Sequence, residues 1–161
     1  MSANVRELED LVNGLPTGGR LMALDLGTKT IGVAVCDGGL SIATPLTTIR
    51  RTKFTQDVEQ LLKIASDYGI AGIVIGLPLN MDGSEGPRAQ STRAFVRNLL
   101  RHSDLPVAFQ DERLSTVAAE EAMIAADIRK AKRRENIDAA AAQVILQAAL
   151  ERAARRDTHQ P

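Results

Sequence analysis

The sequence has little cysteine, few aromatic residues and no net charge, and these shortages exclude several classes of protein. Its one cysteine, Cys36, cannot form an internal disulfide, so the 161 residues must rely on a hydrophobic core, as proteins of a reducing compartment do. No apolar run approaches the ~20 residues that span a bilayer, which argues against a membrane protein. Acidic residues near the start argue against a signal peptide. We therefore expect one globular domain in the cytoplasm.

Charge and aromatic content give no direct sign of a nucleic-acid partner. Twenty basic and twenty acidic residues cancel, and four aromatic residues are too few for a platform on which bases stack. Cations are nevertheless concentrated in 129–134 and recur at intervals of four at Arg93, Arg97 and Arg101. Each concentration alone is typical of a solvated face. If nucleic acid binds, we expect contacts to its phosphate backbone to dominate.

Hydrophobic periodicity predicts an α/β domain at 20–155 with a mixed sheet. Residues 1–19 are predicted to form a short helix and a linker that are peripheral to the core, and 156–161 a disordered tail. Close succession of the first three strands predicts antiparallel pairing, whereas a strand that follows a helix is expected to be parallel. In chain order, the predicted elements are strands at 20–26, 31–37 and 42–49, a helix at 54–68, a strand at 70–75, a helix from 87 to about 101, a strand at 106–110, a helix from 115 or 116 to about 127 and a last helix at about 135–155.

A carboxylate stands near the end of the first strand, where charge is costly. The apolar run at 21–26 is typical of a strand buried on both faces, and Asp25 is its one charged residue. Burial raises the pKa of a carboxyl group unless a cation or hydrogen-bond donors stabilise the charged form. A bound metal ion and backbone N–H groups of the following turn are both compatible with this position. Gly27 lets the backbone turn tightly or approach a ligand.

Two further acids stand at the ends of other predicted elements. Glu112 follows the fifth strand and Asp138 opens the last helix. Because ligands of open α/β sheets bind at the carboxyl ends of the strands, we expect Asp25 and Glu112 at one rim, with the helix bringing Asp138 to them. Oxygen ligands without His or Cys suit Mg²⁺ or Mn²⁺ rather than zinc. Clustered carboxylates with such a metal are typical of phosphoryl transfer.

Each acid also has a purely structural interpretation. Asp138 suits the positive N-terminal end of its helix. Glu112 can pair with Arg113 or Arg133 on the surface. Asp25 can accept backbone hydrogen bonds in its turn. The occurrence of all three acids at the ends of elements favours a shared site over three separate explanations.

Four segments in order resemble the YqgF (RuvX) family over about 20–152. The second of them is a loop, 76–86, that is longer than most connections, as functional loops often are. The family has the RNase H-like fold with a five-stranded mixed sheet, and its members are described as Holliday junction resolvases or as nucleases that mature the 5′ end of pre-16S rRNA. The matching segments are Asp25-Leu26-Gly27-Thr28-Lys29 with Ile31-Gly32-Val33-Ala34, the whole loop 76–86, Asp111-Glu112-Arg113-Leu114-Ser115-Thr116, and Asp138 with Ala140, Ala141 and Ile145-Leu146-Gln147.

The resemblance implies a nuclease in which Asp25, Glu112 and Asp138 are the catalytic acids and bind Mg²⁺ or Mn²⁺. It also implies that the loop 76–86 is a flap beside the substrate. The expected partner is nucleic acid, structured RNA rather than a DNA junction, in rRNA processing and ribosome biogenesis, with the protein a monomer or homodimer. The residues expected to bind the substrate are Lys29, Asn80, Arg113, Arg133 and Arg134.

The chain departs from the family at two positions. Family members commonly have Arg where this chain has Thr30, and often Ser-Asp at Cys36-Asp37. Loss of that Arg removes a possible phosphate partner, which affects substrate preference rather than metal binding.

Two other classes of protein stay open: an ATP-binding domain of the actin and sugar-kinase kind, and a nucleic-acid-binding module without catalysis. The first also has Asp-x-Gly-Thr after a strand, but it clamps nucleotide between two such domains and this chain supplies one.

Overall fold

A five-stranded mixed sheet with helices on both faces forms the protein, as seen in a computed structural model that describes residues 4–115 and 137–158. The strand order is β3-β2-β1-β4-β5, with β1 antiparallel to β2, β2 antiparallel to β3, and β4 parallel to both β1 and β5. The α/β class and the mixed sheet expected from the sequence are confirmed. In chain order, the elements are α1 (Leu8–Asn13), β1 (Arg20–Leu26), β2 (Thr30–Cys36), β3 (Ala43–Arg50), α2 (Phe54–Asp67), β4 (Ile70–Leu77), α3 (Pro87–Leu99), β5 (Val107–Asp111), a 3₁₀ turn (Glu112–Ser115) and α4 (Ile137–Thr158).

Alternation along the strands divides the core between the two faces of the sheet. In β1, Met22 and Leu24 pack toward α2 and α3, whereas Leu21 and Ala23 pack toward α1 and α4. Successive side chains of a strand point to opposite faces. Asp25 therefore lies on the same face as Leu21 and Ala23, beneath α4.

Proline in the third strand is tolerated because β3 is an edge strand. Pro45 pairs with Ala34 where the register between β2 and β3 shifts, and a residue that cannot donate to the ladder is confined to such places. The side-chain amides of Gln143 and Gln147 on α4 bond the backbone at the start of β3, at Ala43. The strand is thus attached to α4 as well as to β2.

The N-terminal segment is part of the core, contrary to the expectation that it is peripheral. Leu8 and Leu11 of α1 are fully buried against the α4 face of the sheet. Leu11 approaches so closely that a Cβ atom on Gly72 would lie 2.9 Å from its Cδ2 atom. Before α1, Val5 forms a parallel bridge with Val107 of β5. A helix of six residues with three apolar positions gave too weak a pattern to show this burial.

The last helix extends further than the sequence pattern predicted. It continues to Thr158, into the stretch 156–161 that was expected to be disordered, because neither Gly nor Pro interrupts it. Ala139, Ala142 and Ala149 are buried and let the helix lie close to the sheet. The predicted helix from 115 or 116 to about 127 and the basic segment 129–134 lie outside the described residues. In the described part of the chain, no helix combines the length and the apolarity that crossing a membrane requires.

Candidate active site

Asp25 is placed by a tight hairpin between β1 and β2. It pairs with Gly32 in the antiparallel ladder, and the N–H group of Gly27 donates to the carbonyl oxygen of Thr30 at 2.9 Å to close the turn. A Cβ atom on Gly27 would lie 3.1 Å from that oxygen, so the turn leaves little room for a side chain. The hairpin therefore fixes Asp25, half-buried, at the carboxyl end of β1.

Glu112 reaches the same rim from the end of β5. The register pairs Gly76 with Gln110 and Leu77 with Asp111, so the chain leaves the sheet one residue before Glu112. The Glu112 side chain then lies over Gly76: a Cβ atom there would be 2.7 Å from the Oε1 atom of Glu112 and 2.6 Å from the Cδ1 atom of Ile145. Glycine at 76 thus provides the space for the carboxylate between β4 and α4.

The two carboxylates are close enough to influence each other. The pKa of Glu112 is raised above its ordinary value, first by burial and next by the negative charge of Asp25, while the positive charge of Arg88 acts in the opposite direction. Partly desolvated acids that repel each other are stabilised in their charged forms by a cation. With oxygen donors alone, the pair fits a hard divalent ion such as Mg²⁺ or Mn²⁺.

The third expected ligand, Asp138, is the second residue of α4. Its side chain lies outside the described part of the structure, so the convergence of all three acids stays a prediction. Among the side chains that are described, no three of His, Cys, Asp and Glu group closely enough to hold a metal ion. The helix that carries Asp138 does contact the site, because its Ile145 packs at Gly76 next to Glu112.

Two arginines that the sequence analysis missed hold the turn after Asp25. An Nη2 group of Arg88, at the start of α3, donates to the carbonyl oxygen of Leu26 at 3.1 Å, and Nη1 of Arg51 donates to that of Gly27 at 2.6 Å. Arg51 also lies over the ring of Phe95. A guanidinium thus adjoins the turn although residue 30 is threonine. In the sequence, the position of Arg88 is indicated only by the preceding Pro87, which marks the start of a helix after the loop 76–86.

The expected substrate-binding residues occupy different places. Lys29 is exposed in the hairpin turn, directly beside the site. Asn80 shapes the loop 76–86, since its side-chain amide donates to the hydroxyl of Ser84 at 3.0 Å. Arg113 forms an ion pair with Asp111 at 2.7 Å and donates to the carbonyl oxygen of Met81 at 3.2 Å. Arg133 and Arg134 lie outside the described residues.

Sheet order and the acid pair at the rim define an α/β protein of the RNase H-like class. A structure of Thermus thermophilus RuvC in complex with a Holliday junction substrate has a TM-score of 0.59 at 15% identity, covering 89% of this chain and 99% of that one. A second Thermus thermophilus RuvC structure has a TM-score of 0.54 at 14% identity, covering 84% and 96%. At such low identity these likenesses speak for the fold, and they confirm the one expected from the sequence.

The chain belongs to the RuvX family, whose sequence profile, described as Holliday junction resolvase, matches residues 19–152. A relative from Paracoccus denitrificans is 60% identical over 145 residues, covering 90% of this chain and 92% of its own. One from Rhodobacter capsulatus is 59% identical over 147 residues, covering 91% and 92%. Both bear the name "putative pre-16S rRNA nuclease". The family resemblance seen in the sequence is confirmed.

Proposed function

We propose that this protein is a metal-dependent nuclease that hydrolyses phosphodiester bonds near the 5′ end of precursor 16S rRNA during ribosome biogenesis. The observation that carries the proposal is the pair of carboxylates, Asp25 and Glu112, at one rim of an RNase H-like sheet. Names of relatives about 60% identical over most of the chain support the choice of RNA. Because ribosomal RNA of bacteria matures in the cytoplasm, the protein would act there.

In this mechanism Asp25, Glu112 and Asp138 would hold Mg²⁺ or Mn²⁺. A divalent ion, when bound, lowers the pKa of a water molecule and stabilises the oxygen that leaves. Arg88 and Arg51 keep the turn after Asp25 in place by holding its carbonyl groups. Lys29, exposed in that turn, supplies positive charge for a phosphate of the substrate.

The test compares the purified protein with an Asp25→Asn variant on an RNA that spans the 5′ end of precursor 16S rRNA. Asparagine keeps the size of the side chain but removes its charge, so we expect cleavage to fall at least about a hundred-fold with Mg²⁺ or Mn²⁺ and to be absent with chelator. Asp67→Asn, which changes an exposed carboxylate at the end of α2, is the matched control and should cleave as the wild type does. Undiminished cleavage by Asp25→Asn would contradict the assignment.

A four-way DNA junction, tested under the same conditions, addresses the second candidate function. The description of the family as Holliday junction resolvase favours this substrate. Faster cleavage of the junction than of the RNA, by a dimer, would replace RNA processing with junction resolution. Binding of RNA without cleavage at any metal concentration would indicate a binding module. Membership in the family gives no support to the ATP-binding alternative, which nucleotide calorimetry would test.

A further inference from the structure

We propose that Met81, at the tip of the loop 76–86, inserts between bases of the nucleic-acid substrate beside the cleavage site. The inference rests on the proposed function and adds a residue that selects structured substrates. Its basis is an apolar side chain that the structure presents to solvent on a braced loop at the rim of Asp25 and Glu112.

Exposure and position single out Met81. Its relative exposure is 92%, and the other exposed large apolar residues in the described part of the chain are Ile42 and Tyr68. Ile42 precedes the start of β3, and Tyr68 precedes the start of β4. Those strand starts belong to the rim opposite the acids, because β3 and β4 both run in the same direction as β1. Of the three, Met81 alone lies at the rim of the candidate active site.

The backbone of Met81 is tied to the end of β5. Arg113 donates from Nη1 to the carbonyl oxygen of Met81 at 3.2 Å, and its Nη2 group pairs with Asp111 at 2.7 Å. Asp111 also accepts the backbone N–H of Arg113 at 2.9 Å. Because Arg113 is next to Glu112 in the chain, these bonds hold the tip of the loop at a fixed place relative to the acids.

Residues on the C-terminal side of Met81 brace the loop further. Asp82 accepts the N–H of Ser84 at 2.9 Å and its hydroxyl at 2.6 Å, which closes a turn. Glu85 forms two hydrogen bonds with Arg93 of α3, at 2.7 and 2.8 Å, and the Arg93 guanidinium lies over the ring of Phe109. The polar side chains of the loop are thus used to hold its shape, whereas the methionine side chain is exposed to solvent.

Bases are the partner that fits an apolar tip next to a phosphodiester-cleaving site. Apolar side chains, methionine among them, insert between base steps and unstack them. A thioether chain is polarisable and adapts to an irregular aromatic surface. Since phosphates are contacted by cations, Lys29 and Met81 would bind different parts of one substrate, its backbone and its bases.

The experiment compares Met81→Ser with Met81→Leu on the precursor RNA and on an unstructured single strand that contains the same cleavage sequence. Serine removes the apolar tip and leucine keeps it. We expect Met81→Ser to lower kcat/KM on the structured RNA by about ten-fold and Met81→Leu to stay near the wild type. Ile42→Ser, which removes an exposed apolar side chain at the opposite rim, is the matched control and should change nothing.

A second readout does not depend on cleavage. The RNA carries 2-aminopurine next to the cleavage site, and binding to the Asp25→Asn variant should increase its fluorescence because the base is unstacked. The increase should disappear when Met81→Ser is added to that variant.

Failure of the wild type to cleave, with the fluorescence change intact, would refute the nuclease activity and leave the insertion of Met81 supported. Equal kcat/KM and equal fluorescence for Met81→Ser and the wild type would overturn the insertion itself. Weaker binding to assembled ribosomal precursor particles alone would assign Met81 to a protein partner and also overturn it.

Discussion

The Oε1 atom of Glu112 lies 2.7 Å from the position that a Cβ atom would occupy on Gly76, although Gly76 belongs to β4 and Glu112 follows β5, far away in the chain. The missing side chain of one residue is thus the space in which the carboxylate of the other lies. The Cδ1 atom of Ile145, on α4, lies 2.6 Å from the same position.

Gly76→Ala should reduce cleavage by more than about ten-fold, because the added methyl group displaces the Glu112 carboxylate. Overpacking of this kind also costs about 1–3 kcal/mol of folding free energy. The control is Gly72→Ala on the same face of β4, where the methyl group would meet Leu11 at 2.9 Å instead of an acid. Urea unfolding and cleavage per folded molecule separate the two effects. Equal cleavage losses in both variants would show that stability alone is responsible.

Glu112→Gln should make the metal-free protein more stable at about pH 8 while abolishing cleavage. The pKa of Glu112 is raised above 4.5 in the folded protein by burial and by Asp25. Between the ordinary and the raised pKa the folded state binds more protons than the unfolded state, so ionisation at higher pH lowers the free energy of unfolding. The additional stability of Glu112→Gln over the wild type should therefore shrink as the pH falls toward the ordinary pKa of a glutamate. Thermal unfolding in chelator at several pH values measures it.

Addition of metal should stabilise the wild type rather than Glu112→Gln. A ligand that binds the folded state raises its stability. Mn²⁺ should raise the unfolding temperature of the wild type and leave Glu112→Gln nearly unchanged. If both proteins responded equally to Mn²⁺, Glu112 would not be a ligand.

Arg88→Ala should lower kcat/KM roughly ten-fold, since a hydrogen bond from a charged group contributes about 1.5–3 kcal/mol and this one holds the Leu26 carbonyl next to Asp25. Arg88→Lys keeps the charge without the planar donor geometry, so its kcat/KM should lie between those of Arg88→Ala and the wild type. Arg97→Ala, an exposed cation on the same helix, serves as the control. If Arg88→Ala cleaved as fast as the wild type, Arg88 would have no role in positioning the site.

Cys36 should resist thiol reagents in the native protein. Burial raises the pKa of its thiol and outweighs the opposite effect of the N–H group of Leu21, which donates to its sulfur at 3.2 Å, so the reactive thiolate is scarce and inaccessible. Absorbance after addition of a disulfide reagent should show no rapid reaction under native conditions and one thiol per chain in denaturant. Rapid native labelling would place Cys36 at the surface.

The position of Asp25 and Glu112 could be predicted because Asp25 stands near the end of one apolar run and Glu112 follows another, and such runs mark strands. A helix between β1 and β4 implies parallel pairing, and parallel strands share their carboxyl rim. The contact of Glu112 with Gly76 could not be predicted, since it depends on the register of β4 and β5, which no single sequence pattern specifies. Arg88 was missed for a similar reason: its partner is a backbone carbonyl, which has no sequence signature.

The contacts of the loop 76–86 and of α1 could not be predicted from the sequence either. The loop 76–86 was recognised from its glycines and proline, but the ion pairs that brace it join Glu85 to Arg93 and Asp111 to Arg113, pairs that look like ordinary surface charges in the sequence. A short pattern of apolar residues near the start of the chain, Val5, Leu8, Val12 and Leu15, fits many surfaces, so it did not predict the burial of Leu8 and Leu11. Their burial is a property of the groove between the sheet and α4, which exists only in the folded chain.

Both edges of the sheet carry contacts that hinder the addition of another strand. On one side Val5 bridges Val107 and the N–H of Arg6 donates to the Val107 carbonyl at 2.8 Å, so the N-terminal segment already pairs with β5. On the other side Pro45 lacks a donor, and the two glutamines of α4 bond Ala43 at the start of β3. Proline on an edge strand and partial covering of an edge disfavour continuous sheets between molecules. A homodimer of this protein is therefore expected to form through helices or loops, with each subunit keeping its own sheet and its own pair of acids.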